Sequence, residues 1–341
     1  MLPAVSSGNE VACMSKMIMA VTDCEHIDYT QEREICEANG IGFVKFDLRD
    51  EEEAARVLQE YPVVGNQYLK FTDSLMDKLP NLKCIVRYGM GVDNVDIPAA
   101  TRHGIKVCNV PDYSVQEVAA HAFAFFMALT RKLKVMDRSM ERGVWNYELS
   151  MPIYRYSEMT VGVVGFGRIG RTLAKMLHDL GCKVKVCDVM FPPELSQADR
   201  EKYGIPEWAE LTTLDDILAS CNAVSLHVPL SKENGGYIKK EQLEKMRPDA
   251  FLINVSRGGL IDEKDLYEAL VNKTIAGAAC DTWVQEPTPA DNPLLKLDNF
   301  IASPHMAWYS EQASLDLKRK VAEECIRALT DQPLRYQLNR F

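Results

Sequence analysis

The stretch from Thr160 to Asp188, TVGVVGFGRIGRTLAKMLHDLGCKVKVCD, constrains the fold more than any other part of the chain. Val161 to Val164 is a short β-branched run and predicts a strand. Glycines follow at 165, 167 and 170. Ile169, Leu173, Met176, Leu177 and Leu180 then recur at helical steps, and Gly181 ends the helix. A second apolar run, Val184 to Cys187, finishes on Asp188. Gly165 permits a tight turn, Gly167 lets backbone approach a pyrophosphate, and Gly170 allows close packing of helix on strand. The helix N-terminus then offers unpaired N–H groups to phosphates. An acid about 20 residues beyond the glycines holds ribose hydroxyls. Asp188 occupies that place and repels a 2′-phosphate, and no arginine follows it closely, which favours NAD over NADP. The bland alternative is an ordinary βαβ unit with a glycine-rich turn. The strand before, the helix after and the acid beyond all argue for the dinucleotide site.

Strand and helix signals alternate on both sides of this stretch. Before it, strands are expected at 17–21, 43–46, 63–64, 84–87 and 106–109, with helices at 30–39, 51–59 and 73–78. That alternation predicts a small doubly wound parallel sheet. Pro111 marks a break, and helices follow at 115–131 and 134–142. The stretch Val144 to Met159 is irregular. Later strands are expected at 223–226, 251–254, 275–279 and 300–302, which with the two already described makes six. A final amphipathic helix, Glu311 to Leu329, is expected to return to the first domain, which otherwise lacks a covering helix. Residues 1–15 read as an N-terminal extension without periodicity.

A chain of 341 residues exceeds one typical domain. Its formal net charge of −10 argues against a nucleic-acid-binding surface. The ten cysteines form no C-x-x-C pair and no zinc spacing, so no metal is expected and reduced thiols in a cytoplasm fit best. Met1 to Lys16 lacks the pattern of a signal peptide. The apolar segment Val118 to Leu129 is too short to span a bilayer, contains His121, and reads as a core helix.

Ligands of open parallel sheets bind beyond the carboxyl ends of the strands. Four polar stretches qualify: HVPLSKEN from His227, NVSRGG from Asn254, DTWVQEP from Asp281 and SPHMAW from Ser303. Interconverting an alcohol and a carbonyl with a nicotinamide needs an acid–base group. Histidine suits that work, and a carboxylate partner fixes its ring. A guanidinium grips a carboxylate in two places. His26, His103, His121 and His178 fall in helices or ordinary connections and read as structural or solvated. His227 sits at a strand end, with its backbone expected to face the cofactor. His305 follows a proline at a strand end, a short excursion after Glu286. Position alone leaves its role open.

The motifs RYGMGVDNVD (Arg87 to Asp96), GFGRIG, HVPL, NVSRGGLIDE, CDTWVQEP and SPHMAWYSEQAS resemble those of the D-isomer-specific 2-hydroxyacid dehydrogenases over nearly the whole chain. The Arg87 and His305 motifs are most similar to the C-terminal-binding-protein branch. The resemblance implies two doubly wound parallel-sheet domains: a Rossmann NAD-binding domain (113–305) inserted in a flavodoxin-like substrate domain (16–112 and 306–341). It implies Arg257, Glu286 and His305 as the catalytic set. It also implies that the substrate carboxylate sits on the amides of Gly89, Met90 and Gly91, with Arg87 and Trp308 lining the substrate site. Cofactor-lining positions are Val118, Arg168, Ile169, Val228, Pro229, Asn234, Val255 and Ser256, besides the glycines and Asp188. Asp281 matches the acid that orients the nicotinamide amide.

Other readings stand beside these. Arg87 as a surface ion-pair partner and Trp308 as core or dimer packing are the simpler ones. Met90 replaces a smaller residue and should narrow the pocket. The expected activity is NAD-dependent interconversion of a D-2-hydroxy acid and its 2-oxo acid. 3-Phosphoglycerate and glyoxylate or hydroxypyruvate are the alternative substrates. An NAD-sensing binding module is the other class of function. The family resemblance further implies a homodimer packed through Val115 to Met159.

Overall fold

A computed structural model describes residues 17–24, 28–231 and 234–341. The expected extension at 1–15 and His26 lie outside them. The chain divides into two units, one of residues 1–113 with 310–341 and one of 114–309.

The first unit runs β1 (Ile18–Val21), α1 (Thr30–Ala38), β2 (Gly42–Lys45), α2 (Glu51–Val57), β3 (Val63–Asn66), α3 (Asp73–Asp77), β4 (Cys84–Arg87), α4 (Ile97–Arg102) and β5 (Lys106–Cys108). All pairings are parallel and the order is β2-β1-β3-β4-β5, the flavodoxin-like order. The helix α4 was not foreseen. It has six residues, is capped by Asp96 and carries a proline in its first turn, so it shows no apolar period. One sheet face packs on Ala54, Leu75, Met76 and Ala99 of α2, α3 and α4.

The second unit opens with α5 (Val115–Thr130) and α6 (Leu133–Glu141). It continues as β6 (Thr160–Val164), α7 (Arg168–Asp179), β7 (Lys183–Cys187), α8 (Gln197–Lys202), β8 (Ala209–Leu211), α9 (Leu214–Ser220) and β9 (Ala223–Leu226). It closes with α10 (Lys240–Lys245), β10 (Phe251–Asn254), α11 (Glu263–Val271), β11 (Gly277–Cys280) and β12 (Phe300–Ala302). The sheet has seven parallel strands in the order β12-β11-β10-β9-β6-β7-β8, not the expected six. The extra strand, β8, is three residues long at the sheet edge with Glu210 exposed at its centre, too short to carry a period-two signal. α5 is a core helix as its composition predicts: Val118, Ala119, Ala122, Phe125, Phe126 and Leu129 are buried against Leu173, Ala174 and Leu177 of α7. Ile217, Leu218, Leu243, Leu266 and Leu270 cover the other face.

The chain then returns as α12 (Glu311–Leu329), and the expectation for the tail holds. Leu317, Val321, Ala322 and Cys325 pack on Met19, Val21, Val63, Cys84 and Val86 of the first sheet. Each fully buried leucine or valine there contributes roughly 1.5–3 kcal/mol relative to exposure.

In the second unit the strand order reverses between β6 and β9, which makes the crevice beyond their carboxyl ends the topological switch point. Gly165 follows β6 with φ +96, and a Cβ there would meet the His227 carbonyl oxygen at 2.5 Å. A Cβ on Gly170 would lie 2.0 Å from the Gly165 oxygen. α7 and the turn therefore fit only with no side chain at either position. Gly170→Ala is expected to destabilise the protein by about 2–3 kcal/mol through forced separation of α7 from the turn. Urea unfolding checks this, and an unchanged midpoint would show that the helix can yield.

Candidate active site

The glycine turn joins two strands through one carboxylate. Asp188, after β7, accepts a hydrogen bond from the Phe166 N–H at 2.6 Å through Oδ2 and from the Met190 N–H at 2.9 Å through Oδ1. Each oxygen keeps a second lone pair for a ribose hydroxyl. A Cβ on Gly167 would meet nothing within 4 Å, so the turn is open to an approaching group on that side. By helix geometry the amides of Arg168, Ile169 and Gly170 have no intrahelical acceptor. These features fit a dinucleotide. Arg171, which the sequence did not single out, clasps the turn. Its guanidinium lies 4.5 Å from the Phe166 ring and 5.4 Å from the Phe191 ring, and Nε donates to the Phe166 oxygen at 2.9 Å.

The next strand ends bring in more of the expected residues. His227 follows β9. Its N–H donates to the Val164 oxygen at 2.7 Å, and its Nε2 lies 2.8 Å from Ser225 Oγ. The residue keeps partial exposure, but Nδ1 is buried without a hydrogen-bond partner, and burial pulls the imidazole pKa down to about 4. Its imidazole is therefore neutral at pH 7. Val228 and Pro229 begin the loop, which Asn234 ties by accepting from the Ser231 N–H at 2.6 Å and donating to the Pro229 oxygen at 2.8 Å. After β10, Asn254 accepts from the Ser256 N–H at 3.0 Å and donates to the Arg257 oxygen at 2.8 Å. Val255 is buried, and Ser256 Oγ donates across to the Leu226 oxygen at 2.8 Å. Arg257 Nη1 donates to the Ser256 oxygen at 2.9 Å.

His305, Glu286 and Asp281 come together on the loops after β11 and β12. His305 Nδ1 lies 2.7 Å from Glu286 Oε2, and Glu286 Oε1 accepts from the Trp283 N–H at 2.9 Å. A carboxylate facing Nδ1 assigns the proton there and leaves Nε2 for chemistry. Burial acts to raise the Glu286 pKa, but the His305 hydrogen bond and charge, the Trp283 amide and the Arg257 charge outweigh it and hold the carboxyl below its usual range. His305 itself has φ +52, a left-handed conformation that a side chain rarely adopts. Asp281 fixes that conformation from below. Its carboxylate is 1% exposed and accepts from Ser303 Oγ, from the Met306 N–H at 2.9 Å and from the Ala307 N–H at 3.0 Å. Its backbone oxygen accepts from the His305 N–H at 2.7 Å.

Two further residues meet here unforeseen. Ser303 hydrogen-bonds to Asp281, and His121 Nε2 lies 3.0 Å from Ser303 Oγ. His121 is therefore not merely a structural or solvated side chain of α5. Among the other histidines, His103 pairs with Asp73 at 2.8 Å and His178 stacks on Trp208. Trp308 is half-buried, packs against the α5–α7 core and meets Tyr309 edge-on.

In the first unit, Arg87 ends β4. Its Nε donates to the Gly91 oxygen at 2.9 Å, and its Nη1 donates to the Tyr88 and Asn66 oxygens at 3.1 and 3.3 Å. Asn109 holds the Met90 oxygen at 2.7 Å, and Gly89 has φ +141. The loop of Gly89, Met90 and Gly91 is thus clamped on both sides.

A family model for the NAD-binding domain of D-isomer-specific 2-hydroxyacid dehydrogenases matches residues 123–307. The chain is 36% identical over 317 residues to the D-3-phosphoglycerate dehydrogenase of Archaeoglobus fulgidus, covering 92% of this chain and 57% of that protein. It is 37% identical over 256 residues to the glyoxylate reductase of Korarchaeum cryptofilum, covering 74% of each. The chain thus spans little more than half the length of the phosphoglycerate dehydrogenases it matches. A solved structure of an acyclic imino acid reductase, Bsp5, in complex with NADPH and D-Arg is similar with a TM-score of 0.83. That pair is 26% identical, with 95% of this chain and all of the other covered.

His227 supplies a test of the site's electrostatics. Its native pKa of about 4 lies below the ordinary 6.5, so the folded state favours the neutral ring. That contribution is complete above pH 6.5 and is lost as pH falls toward 4, at most about 3 kcal/mol in all. His227→Gln should show a shallower fall in unfolding free energy between pH 7 and 4.5 than the unaltered protein. Equal slopes would mean that the ring titrates normally in the fold.

Proposed function

Since the chain belongs to the D-isomer-specific 2-hydroxyacid dehydrogenase family, we propose that it interconverts a small D-2-hydroxy acid and its 2-oxo acid with NAD. The observation that carries this reading is the 2.7 Å pair of His305 and Glu286 on the carboxyl edge of a dinucleotide-binding sheet. Bound nicotinamide supplies or accepts the hydride. The protein's own groups do the rest. In the reducing direction protonated His305 donates from Nε2 to the carbonyl oxygen, and Glu286 stabilises the imidazolium through Nδ1. In the oxidising direction the neutral ring takes the hydroxyl proton. Arg257 binds the substrate and polarises its carbonyl, and its charge helps keep Glu286 ionised.

The remaining roles follow the motifs. The first unit serves as the substrate domain, in which the amides of Gly89, Met90 and Gly91 receive the carboxylate and Arg87 is a substrate-binding residue; in the second unit Trp308 is a substrate-binding residue. Gly165, Gly167, Arg168, Ile169 and Gly170 carry the pyrophosphate, and Asp188 the ribose. Val118, Val228, Pro229, Asn234, Val255 and Ser256 line the cofactor. Asp281 orients the nicotinamide amide, for which Oδ2, with one protein donor at 3.0 Å, retains a second lone pair. The relatives' names point to 3-phosphoglycerate or glyoxylate as substrates to try first. The intact His305–Glu286 pair favours catalysis over a purely NAD-sensing role of the corepressor kind. Among the described residues no helix is long and apolar enough to cross a membrane, and nine cysteines are free thiols, which suits a cytoplasmic enzyme.

His305→Ala should lower kcat with NADH and an accepted 2-oxo acid by about 100-fold or more while NADH still binds, in keeping with the loss of a general acid. Retained turnover would remove His305 from the mechanism. We further propose a homodimer through α5, α6 and residues 143–155. Trp145 is 88% exposed there, with Leu133, Tyr147 and Met151 exposed beside it on the sequence. Sedimentation equilibrium should give twice the chain mass, and Trp145→Glu should shift it to the monomer. A monomeric mass for the unaltered protein would exclude this interface.

A further inference from the structure

We propose that His121 is a positioning residue for His305, acting through Ser303 and Asp281; the inference rests on the dehydrogenase reading above for its kinetic consequence but not for its geometry. Ser303 has one hydroxyl proton, and it points to the buried Asp281 carboxylate. The 3.0 Å approach of His121 Nε2 to the same oxygen is then satisfied only if the ring carries its proton on Nε2 and donates it. The result is a directed chain: His121 donates to Ser303, Ser303 donates to Asp281, and Asp281 also gathers the amides of Met306 and Ala307. Such chains polarise each member in turn and hold better than their links do singly.

The chain has a task because the loop it ends on is strained. A non-glycine residue in the left-handed region is strained and persists only where its surroundings over-determine it. His305 is that residue, with φ +52. Its own N–H is tied to the Asp281 oxygen, so anything that loosens Asp281 loosens the imidazole and its 2.7 Å contact with Glu286. The anchor on the far side is helical. α5 is packed into the core along its length, and the His121 ring meets Phe125 edge-on at 4.5 Å. A rigid helix therefore holds the catalytic loop through a hydroxyl bridge.

Three substitutions test this. His121→Phe keeps a ring against Phe125 and removes the donor. His121→Gln retains an N–H that can reach Ser303. Ser303→Ala removes the bridge. With NADH and a 2-oxo acid that the unaltered protein reduces, His121→Phe is expected to lower kcat about 10-fold with KM for both substrates within about twofold, since small misplacements of a catalytic group are costly in turnover. His121→Gln should recover most of that loss. Ser303→Ala should match His121→Phe, and the double variant should be no worse than either. Full kcat in His121→Phe, no recovery with Gln, or losses that multiply in the double variant would each overturn the proposal. Imidazole nitrogen NMR at neutral pH adds a readout independent of activity: His121 should be fixed as the Nε2–H tautomer and lose that fixation in Ser303→Ala. A tautomer mixture in the unaltered protein overturns the network even if turnover is never found. Loss of turnover in His305→Ala beside full turnover in His121→Phe rejects the positioning role alone.

Discussion

The carboxylate of Asp281 is closed off from water and gathers donors from its own surroundings, and the loops after β11 and β12 take their shape from that fact. A buried charge left without partners costs several kcal/mol. Ser303, Met306 and Ala307 cannot leave it, and the segment between them is short. His305 is held in an unfavourable backbone conformation because the alternative is worse. Trp283 then joins this loop to its neighbour, since its indole N–H donates to the Ser303 oxygen at 3.0 Å while its backbone N–H holds Glu286. Gly258 presses on the same tryptophan so closely that a Cβ would sit 1.9 Å from its carbonyl carbon. Three strand-end loops are thereby fitted to one another, and Arg257, Glu286 and His305 inherit a common frame.

Much of this was legible in the chain because it depends on local spacing. Gly165, Gly170 and Asp188 could be read together since turn, helix and second strand occupy fixed lengths, and the close approaches at those glycines are what the spacing encodes. The return of α12 followed from an uncovered sheet. What escaped was short or non-local. β8 is three residues long, and α4 is six. His121 and Ser303 meet across 182 residues, and nothing in the period of α5 distinguishes a histidine that donates to a distant hydroxyl from one that merely faces solvent. Arg171 sat inside a helix pattern as a polar-face residue, yet its guanidinium lies against two aromatic rings of the turn. Position alone did not settle His305 either; the contact with Glu286 bridges 19 residues through a loop without periodicity.

The two histidines at strand ends show how surroundings divide one residue type between tasks. His227 has a buried, unpartnered Nδ1 and a serine hydroxyl at Nε2, so burial governs it and the ring stays neutral. Its useful atom is the backbone oxygen, which sets the clearance over Gly165. His305 has the reverse arrangement, with a carboxylate on Nδ1 and substantial exposure.

Arg87 shows how a charged residue at a strand end can order the backbone around it. Its guanidinium donates to three backbone oxygens, of Asn66, Tyr88 and Gly91. A planar guanidinium can serve acceptors that diverge in this way, whereas a single ammonium presents one point of charge. The guanidinium also lies beside Gly89, where a Cβ would sit 3.8 Å from Nη2, so the loop is ordered by its own side chain and an anion binding there would not have to order it. Under the proposed function, binding energy that is not spent on ordering the loop remains for orienting the acid.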